Sequence, residues 1–238
     1  FAAESHVDNS IKDGRPFVRT NVEGTFNLLE CARQNPNLRK FIHISTDEVY
    51  GDMDDISKDV VADEEFPLVA SSYYSATKAS SDMLVLSANR TFDLPYIITR
   101  TCNNYGAHQH KEKFIPTIMR SIKEGKKIPV YGDGKQVREW MDVTDNTLVI
   151  YNLMMSDRIN EVFNIGSEER YTNLEVIEMI GNIMGKTPEF EFVADRLGHD
   201  RRYALNSSKV NAILGEMIPL SFEEFLKEET FKLLETQL

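Results

Sequence analysis

The sequence predicts an α/β fold built on a mostly parallel sheet. Short apolar runs alternate with amphipathic helical segments at the spacing of strand-helix-strand units. Polar residues gather directly after two of the runs, as Ser45-Thr46-Asp47-Glu48 and as Thr101-Cys102-Asn103-Asn104. In open parallel sheets ligands bind beyond the carboxyl ends of the strands, so these two stretches mark the expected site.

Phe17 to Gln34 reads as a helix with Val18, Val22, Phe26, Leu29 and Ala32 along its apolar side. Lys40 to Ser45 reads as a buried strand, and an acidic loop follows around Asp63 to Glu65. Tyr73 to Arg90 is a second helix and Pro95 to Arg100 a second apolar strand. Helices are expected over Lys113 to Lys123, Asp142 to Met155 and Asn173 to Met184. Extended segments are expected over Lys127 to Tyr131, Glu161 to Ile165 and Glu189 to Val193. Ser221 with Glu224 three residues on is a capping-box start for an amphipathic helix running to Leu238.

The 238 residues allow one or two domains with a sizeable core. A net charge of -11 argues against a nucleic-acid backbone or an anionic membrane as main partner. It does not argue against an anionic small molecule, since a few arginines can dominate one pocket. Cys31 and Cys102 are too few for a disulfide framework and match no zinc spacing. Both read as reduced core residues of a cytoplasmic protein, and no metal site is expected. No apolar run is long enough to span a bilayer, and no signal peptide is visible. The start at Phe1, without Met, reads as a fragment or a processed chain.

Tyr74 and Lys78 stand four apart in a predicted helix and so share a face. An ammonium beside a phenol favours the phenolate and lets it act as a base. Taken alone, the pair is better described as an exposed helix face, since Tyr and Lys four apart occur by chance in many helices. Thr46, Asp47 and Glu48 place a hydroxyl and two carboxylates at a strand end, where they could bind and protonate a substrate or simply form a turn or cap.

Together, the strand with its terminal Ser45-Thr46 and the helical Tyr-x-x-x-Lys resemble the extended short-chain dehydrogenase/reductase superfamily. Further blocks narrow the resemblance to nucleoside-diphosphate-glucose 4,6-dehydratases, dTDP-glucose dehydratases above all. They include Ala2 to Asp8, Thr20 to Thr25, Ser45 to Gly51, Arg100 to Gly106, Glu112 to Pro116, Pro129 to Gly134, Val137 to Trp140, Phe163 to Gly166 and Asp195 to Tyr203. The adjacent acids Asp47-Glu48 select dehydration, because related epimerases and decarboxylases usually carry a small polar residue at Asp47.

The resemblance implies a Rossmann-like parallel sheet over 1–105 and 141–166, and a smaller α/β substrate-binding domain over 106–140 and 167–238. It implies NAD as a retained cofactor, a sugar nucleotide as substrate and a homodimer, with Phe26, Met83, Leu84 and Leu86 as candidate interface residues or, equally, core residues. Tyr74, assisted by Lys78 and Thr46, would take the proton of the sugar 4-hydroxyl as hydride leaves for NAD. Glu48 would then remove the carbon-5 proton and Asp47 protonate the departing 6-hydroxyl, before hydride returns to carbon 6. Ala2, Ala3, Glu4, Ser5, Thr20, Ser45, Tyr74, Lys78 and Asn103 match cofactor-lining positions. Ser5, Thr46, Asn104, Lys113, Phe114, Pro129, Tyr131, Arg138, Asn173, Asp195, Arg196 and His199 match positions lining the sugar nucleotide. Arg138 and Arg196 suit a diphosphate because guanidinium binds phosphate oxygens bidentately. His6 is expected to be a hydrogen-bonded structural histidine.

The sequence departs from the family at the front, where the expected Gly-x-x-Gly-x-x-Gly turn is absent and the sheet is expected to expose an edge. Ala107 and Lys111 stand where prolines are usual, Asp142 where an aromatic or histidine is usual, and Leu214-Gly215-Glu216 lacks a tryptophan. A dehydratase acting on UDP- or CDP-glucose, and a non-catalytic fragment that binds a sugar nucleotide or a partner chain, are the competing possibilities.

Overall fold

The computed structural model describes residues 1–54, 59–214, 222–224 and 226–227. The front of the chain is helical: α1 (Val7–Lys12), α2 (Arg15–Phe17), a π-helical stretch over Val18–Glu23, and α3 (Gly24–Arg33). The last three form one continuous rod, started by Pro16 in its first turn, where a missing N–H costs nothing. Three strands, β1 (Phe41–Thr46), β2 (Tyr96–Thr101) and β6 (Glu161–Ile165), form a parallel sheet in the order β1-β2-β6. Thr46 pairs with Thr101 and Thr101 with Ile165, so the three carboxyl ends finish level. All six residues of β2 are buried, as a central strand covered on both faces requires.

Between β1 and β2 runs α4 (Tyr73–Phe92), opened by a reciprocal Ser72–Ser75 capping box and ended by Asp93 in the left-handed region at φ 56°. A single 3-10 turn, Asp47–Tyr50, follows β1 and stops at Gly51 (φ 73°). A Cβ at Gly51 would lie 1.9 Å from the Val69 carbonyl oxygen, so only glycine fits there.

The second half is built on β3 (Asn103–Tyr105), β5 (Val137–Asp142) and β7 (Arg170–Thr172), with β5 parallel to β3 and antiparallel to β7. A separate parallel pair joins β4 (Ile128–Tyr131) to β8 (Phe190–Val193). Around them lie α5 (Phe114–Glu124), α6 (Val143–Met155), α7 (Asn173–Ile183) and α8 (Ser208–Leu214). Two cores result. One packs Val49, Tyr50, Ile97, Leu153, Phe163 and Ile165 against the parallel sheet. The other packs Ile115, Ile118, Ile128, Trp140, Val176 and Phe222 between α5 and α7. Each such side chain contributes roughly 1.5–3 kcal/mol on burial.

The expected strands and helices occur within a residue or two of their places, with differences that have physical causes. The apolar side expected for the first helix is not a buried stripe. Leu29 is buried, while Val18 and Phe26 are 46% and 51% exposed. The π stretch adds a residue to each turn and rotates the positions before it away from the 3.6-residue pattern. Cys102 is buried but Cys31 is exposed, so only one of the two is a core residue; both are free thiols. The strand β3 and its partner β5 pair across the expected domain boundaries near 105 and 140. Asp142 caps α6: its Oδ1 accepts from the Thr144 N–H at 2.8 Å and the Asp145 N–H at 3.3 Å. Of the helix expected over 221–238, Phe222–Glu224, Leu226 and Lys227 are described and helical; Ser221 and the remainder lie outside the described residues, as does Gly215-Glu216.

Candidate active site

The level carboxyl ends of β1 and β2 open into a cavity of about 460 Å³. Its floor is β1 and the turn after it, bringing Ser45, Thr46, Asp47 and Glu48 to one wall. Tyr74 and Lys78, on the inner face of α4, form the second wall. Ala2, Ala3 and Ser5 come from the first segment, Asn103 and Asn104 from β3, and Lys113 and Phe114 from the start of α5. Most of the residues singled out in the sequence therefore meet in one place, although up to 112 positions separate Ala2 from Phe114.

The two acids differ in their surroundings. Asp47 is 2% exposed and its Oδ2 has no hydrogen-bond partner. Burial, then the charges of Glu48 and Glu139, push its carboxyl well above the ordinary range. Burial pushes Glu48 up as well, but Arg138, Arg196 and Lys113 pull it back towards the carboxylate. Both carboxyls are thus pushed towards the protonated form, Asp47 further than Glu48, whose neighbouring cations set the two apart in the direction an acid and a base require.

The phenol of Tyr74 is pushed up by burial and by the charges of Glu48 and Asp47, while a hydrogen bond with Thr46 pulls it down. The Lys78 ammonium donates to the Ile44 carbonyl at 2.6 Å. The spacing-based expectation of an ammonium aimed at the phenol is corrected on this point: the two share a face, but the Lys78 bond is to β1.

A second cluster sits outside the cavity lining, on β4 and the loop after β8. His199 Nδ1 lies 2.6 Å from Asp195 Oδ1, and the Tyr131 ring meets the His199 ring edge-on at 6.3 Å. Arg196 donates to Asp8 Oδ1 at 3.3 Å. Arg138 is 6% exposed, lies over the Tyr203 ring at 4.3 Å and donates to the Asp200 carbonyl at 2.7 Å. It is not a surface ion pair. Asn173 donates to Gln136 Oε1 at 3.3 Å, and Pro129 is exposed on β4. Two expected cofactor-lining residues stand apart from the cavity. Thr20 is exposed on the π stretch, and Glu4 is exposed with its backbone bonded to Asn21. His6 Nδ1 is buried without a hydrogen-bond partner, contrary to the expectation of a bonded histidine.

The family model described as the NAD dependent epimerase/dehydratase family matches residues 1–166. The chain belongs to this family. A low-salt glycan biosynthesis protein of Haloferax volcanii is 47% identical, across 95% of this chain and 72% of the relative. A dTDP-glucose 4,6-dehydratase of Haemophilus influenzae is 42% identical, across 96% of this chain and 73% of the relative. The crystal structure of a dTDP-glucose 4,6-dehydratase from Streptomyces venezuelae, with NAD bound, superposes with a TM-score of 0.94 at 39% identity, covering 99% of this chain and 72% of that one. A UDP-glucuronic acid 4-epimerase from Bacillus cereus, also with NAD, gives 0.92 at 28% identity, covering 99% and 74%.

The cavity fits the nicotinamide end of the family's cofactor. Lys78 and Ser45 line it, the buried Asn104 Oδ1 has no hydrogen-bond partner among the described residues, and Ala2 and Ala3 add only small side chains to the wall. Residues that sequence reasoning passed over are Asn21 and Arg100, both buried and polar within matched blocks, and Asp82 and Glu139. For Asp82 the spacing of four from Lys78 was an available signal; the inward direction of the other three depends on tertiary packing that no spacing announces. Among the described residues no cluster could hold a metal ion, and no helix is long and apolar enough to cross a membrane.

Proposed function

We propose that this protein performs the NAD-dependent dehydration of dTDP-glucose to the 4-keto-6-deoxy sugar nucleotide, a hydro-lyase reaction. The adjacent acids Asp47 and Glu48, both buried but unequally shifted, carry this reading. An epimerase has no use for an acid-base pair beside its tyrosine, whereas elimination of water must remove one proton and supply another. The dTDP-glucose dehydratases among the relatives support the same substrate.

Bound NAD would supply the hydride acceptor for carbon 4 and, once reduced, the hydride donor for carbon 6. Tyr74, as the phenolate, accepts the proton of the 4-hydroxyl; the hydrogen bond with Thr46 favours that form, while burial and the two acids work against it. Lys78 and Ser45 hold the ribose side of the cofactor, with Ala2, Ala3, Ser5 and Asn103 around it. The resulting 4-ketone acidifies carbon 5, where Glu48 takes the proton. Asp47, kept protonated by its burial, delivers its proton to the leaving 6-hydroxyl. Arg138, Arg196 and Lys113 face the diphosphate side, with Tyr131, Asn173, Asp195 and His199 further out, beyond the cavity lining. Bidentate guanidinium–phosphate bonds would replace the Arg196–Asp8 pair.

The two-unit organisation, a cytoplasmic location and a homodimer belong to the same proposal. Met83 and Phe26 are 57% and 51% exposed on α4 and α3, which supports a partner there; Leu84 and Leu86 instead pack against the core. Incubation with dTDP-, UDP- and CDP-glucose tests the function. The alkali-induced absorbance of a 4-keto product with dTDP-glucose is expected; its absence with all three would refute dehydration.

A further inference from the structure

The turn that carries the acid pair stops at Gly51, and the next side chain, Asp52, reaches a distant part of the chain. Asp52 Oδ2 accepts from the Arg201 N–H at 2.8 Å. Its Oδ1 accepts from the Arg202 N–H at 3.1 Å and from the Asp54 N–H at 3.1 Å. Alongside, the Met53 N–H donates to the Arg202 carbonyl at 3.2 Å. One carboxylate thus clasps two consecutive amides that lie 149 and 150 positions away in sequence. Hydrogen bonds from backbone N–H groups to a carboxylate are among the stronger kinds.

The clasped amides belong to the stretch 195–203, which holds Asp195, Arg196 and His199. That stretch has supports of its own. Arg138 donates to the Asp200 carbonyl at 2.7 Å, the Tyr203 hydroxyl bonds to Asp200 Oδ2, and Arg201 pairs with Asp133 through both of its terminal nitrogens. The Val137 N–H donates to the Arg201 carbonyl at 2.8 Å, and the Tyr203 N–H donates to the Val137 carbonyl at 3.3 Å. The shape of the stretch and its seat on β5 are therefore held without Asp52. What Asp52 adds is a tie to the acid turn.

The two pieces so joined face opposite ends of the proposed substrate. Asp47 and Glu48 act at carbons 6 and 5 of the sugar, while Arg196 faces the diphosphate. A sugar nucleotide held by its diphosphate presents its sugar to the acids at the separation that the protein maintains. Misplacement by about 1 Å can cost on the order of 10²-fold in rate.

We propose that Asp52 is a positioning residue that sets the distance between the acid pair Asp47–Glu48 and the diphosphate-facing stretch 195–203. Asp52 lies outside the cavity lining and acts through the backbone of Arg201 and Arg202. The proposal rests on the roles given above to the acid pair and to Arg196.

The test compares the unaltered protein with Asp52→Ala, which removes all three acceptor bonds, and with Asp52→Asn, which keeps one acceptor oxygen. Thermal melting establishes that each variant is folded. With dTDP-glucose, Asp52→Ala is expected to lower kcat on the order of 10²-fold. Calorimetry is expected to give an unchanged affinity for dTDP, which has no sugar to align. Asp52→Asn is expected to recover part of the turnover. A folded Asp52→Ala protein with unaltered kcat overturns the proposal, since Asp52 would then serve the fold alone. A loss confined to dTDP affinity overturns it equally, since Asp52 would then shape the stretch rather than space it from the acids.

Amide hydrogen exchange gives a readout that needs no turnover. Bound dTDP is expected to slow exchange at the Gly51 N–H, which donates to the Glu48 carbonyl, and this slowing is expected to vanish in Asp52→Ala. Equal slowing in both proteins overturns the proposal. An unaltered protein that binds dTDP but dehydrates no nucleotide sugar sinks the proposed function, and the exchange comparison still decides the role of Asp52. An unaltered protein that does not bind dTDP overturns both.

Discussion

Asn21 and the backbone of Glu4 are joined in both directions. The Asn21 Oδ1 accepts from the Glu4 N–H at 2.9 Å, and its Nδ2 donates to the Glu4 carbonyl at 3.0 Å. The same Nδ2 donates to Thr77 Oγ1 at 3.0 Å, in the stretch of α4 between Tyr74 and Lys78. One amide therefore fixes the segment that brings Ala2, Ala3 and Ser5 to the cavity, and fixes it relative to the helix that carries Tyr74. The π stretch makes this possible by turning position 21 inward and leaving Thr20 outside.

Asn21→Leu removes three hydrogen bonds from a buried position. At about 1 kcal/mol net for each, plus the unmet Thr77 partner, the chain should lose roughly 3 kcal/mol of stability. Denaturant unfolding would measure it. Asn21→Asp keeps the acceptor for Glu4 N–H but loses both donors, and should fall between the two. Equal stability of Asn21→Leu and the unaltered chain would show that the clamp contributes nothing.

The acid pair predicts two unlike variants. Asp47→Asn and Glu48→Gln should each lower turnover on the order of 10²–10⁴-fold, the usual contribution of a positioned acid or base. Their stabilities should differ. Asp47 has a folded pKa above its unfolded value, so the folded chain binds the extra proton. Its stability contribution is complete below the unfolded pKa and is lost as pH rises through the folded pKa. Asp47→Asn should therefore raise the melting temperature at neutral pH and change it little in acid. Burial raises Glu48 as well, so Glu48→Gln should also raise the melting temperature at neutral pH, by less than Asp47→Asn; a clear loss would mean that Glu48 holds the fold as well as serving the reaction.

Residues whose placement follows from local spacing were legible in the sequence, and those placed by tertiary contact were not. Tyr74 and Lys78 had to share a face once α4 was a helix, and the strand ending at Thr46 had to present Asp47 and Glu48 at its carboxyl end. The direction of the Lys78 ammonium was not legible, because the Ile44 carbonyl that receives it lies 34 positions away in sequence. Arg100 looks like an ordinary surface charge in sequence, yet α4 packing over β1 and β2 buries it. Val18 looked like a core residue because a 3.6-residue period cannot register the π turn it begins, whereas Phe26 lies beyond that turn on the outer side of α3. Asp142, which departs from the family's usual residue, has a local use as the cap of α6.

That cap gives a separable prediction. Asp142→Ala removes the acceptor for two N–H groups in the first turn of α6, and loss of an N-cap costs about 1 kcal/mol. Asp142→Ser should restore most of it, since a serine hydroxyl also caps well. Urea unfolding of the three proteins would rank them, and Asp142→Ala matching the unaltered chain would leave the substitution without a structural role.

The outer cluster should make the protein sensitive to mild acid. Burial, then the nearby Arg196 charge, lower the His199 pKa to about 4, and the Asp195 hydrogen bond only partly offsets them. A histidine whose folded pKa is depressed binds fewer protons folded than unfolded. Its neutral form is fully tolerated above the unfolded value near 6.5, and stability is lost as pH falls from there through about 4. Asp195 is itself held below its ordinary value: burial opposes this, while His199 and Arg196 enforce it. Its own loss comes at more acid pH, leaving the histidine window clear. His199→Gln should therefore flatten the fall in melting temperature between about pH 7 and pH 4.5. The same slope in both proteins would place the acid sensitivity elsewhere. A steeper slope in the variant would mean that His199 is stabilised as a cation by Asp195, reversing the balance of forces inferred from its burial.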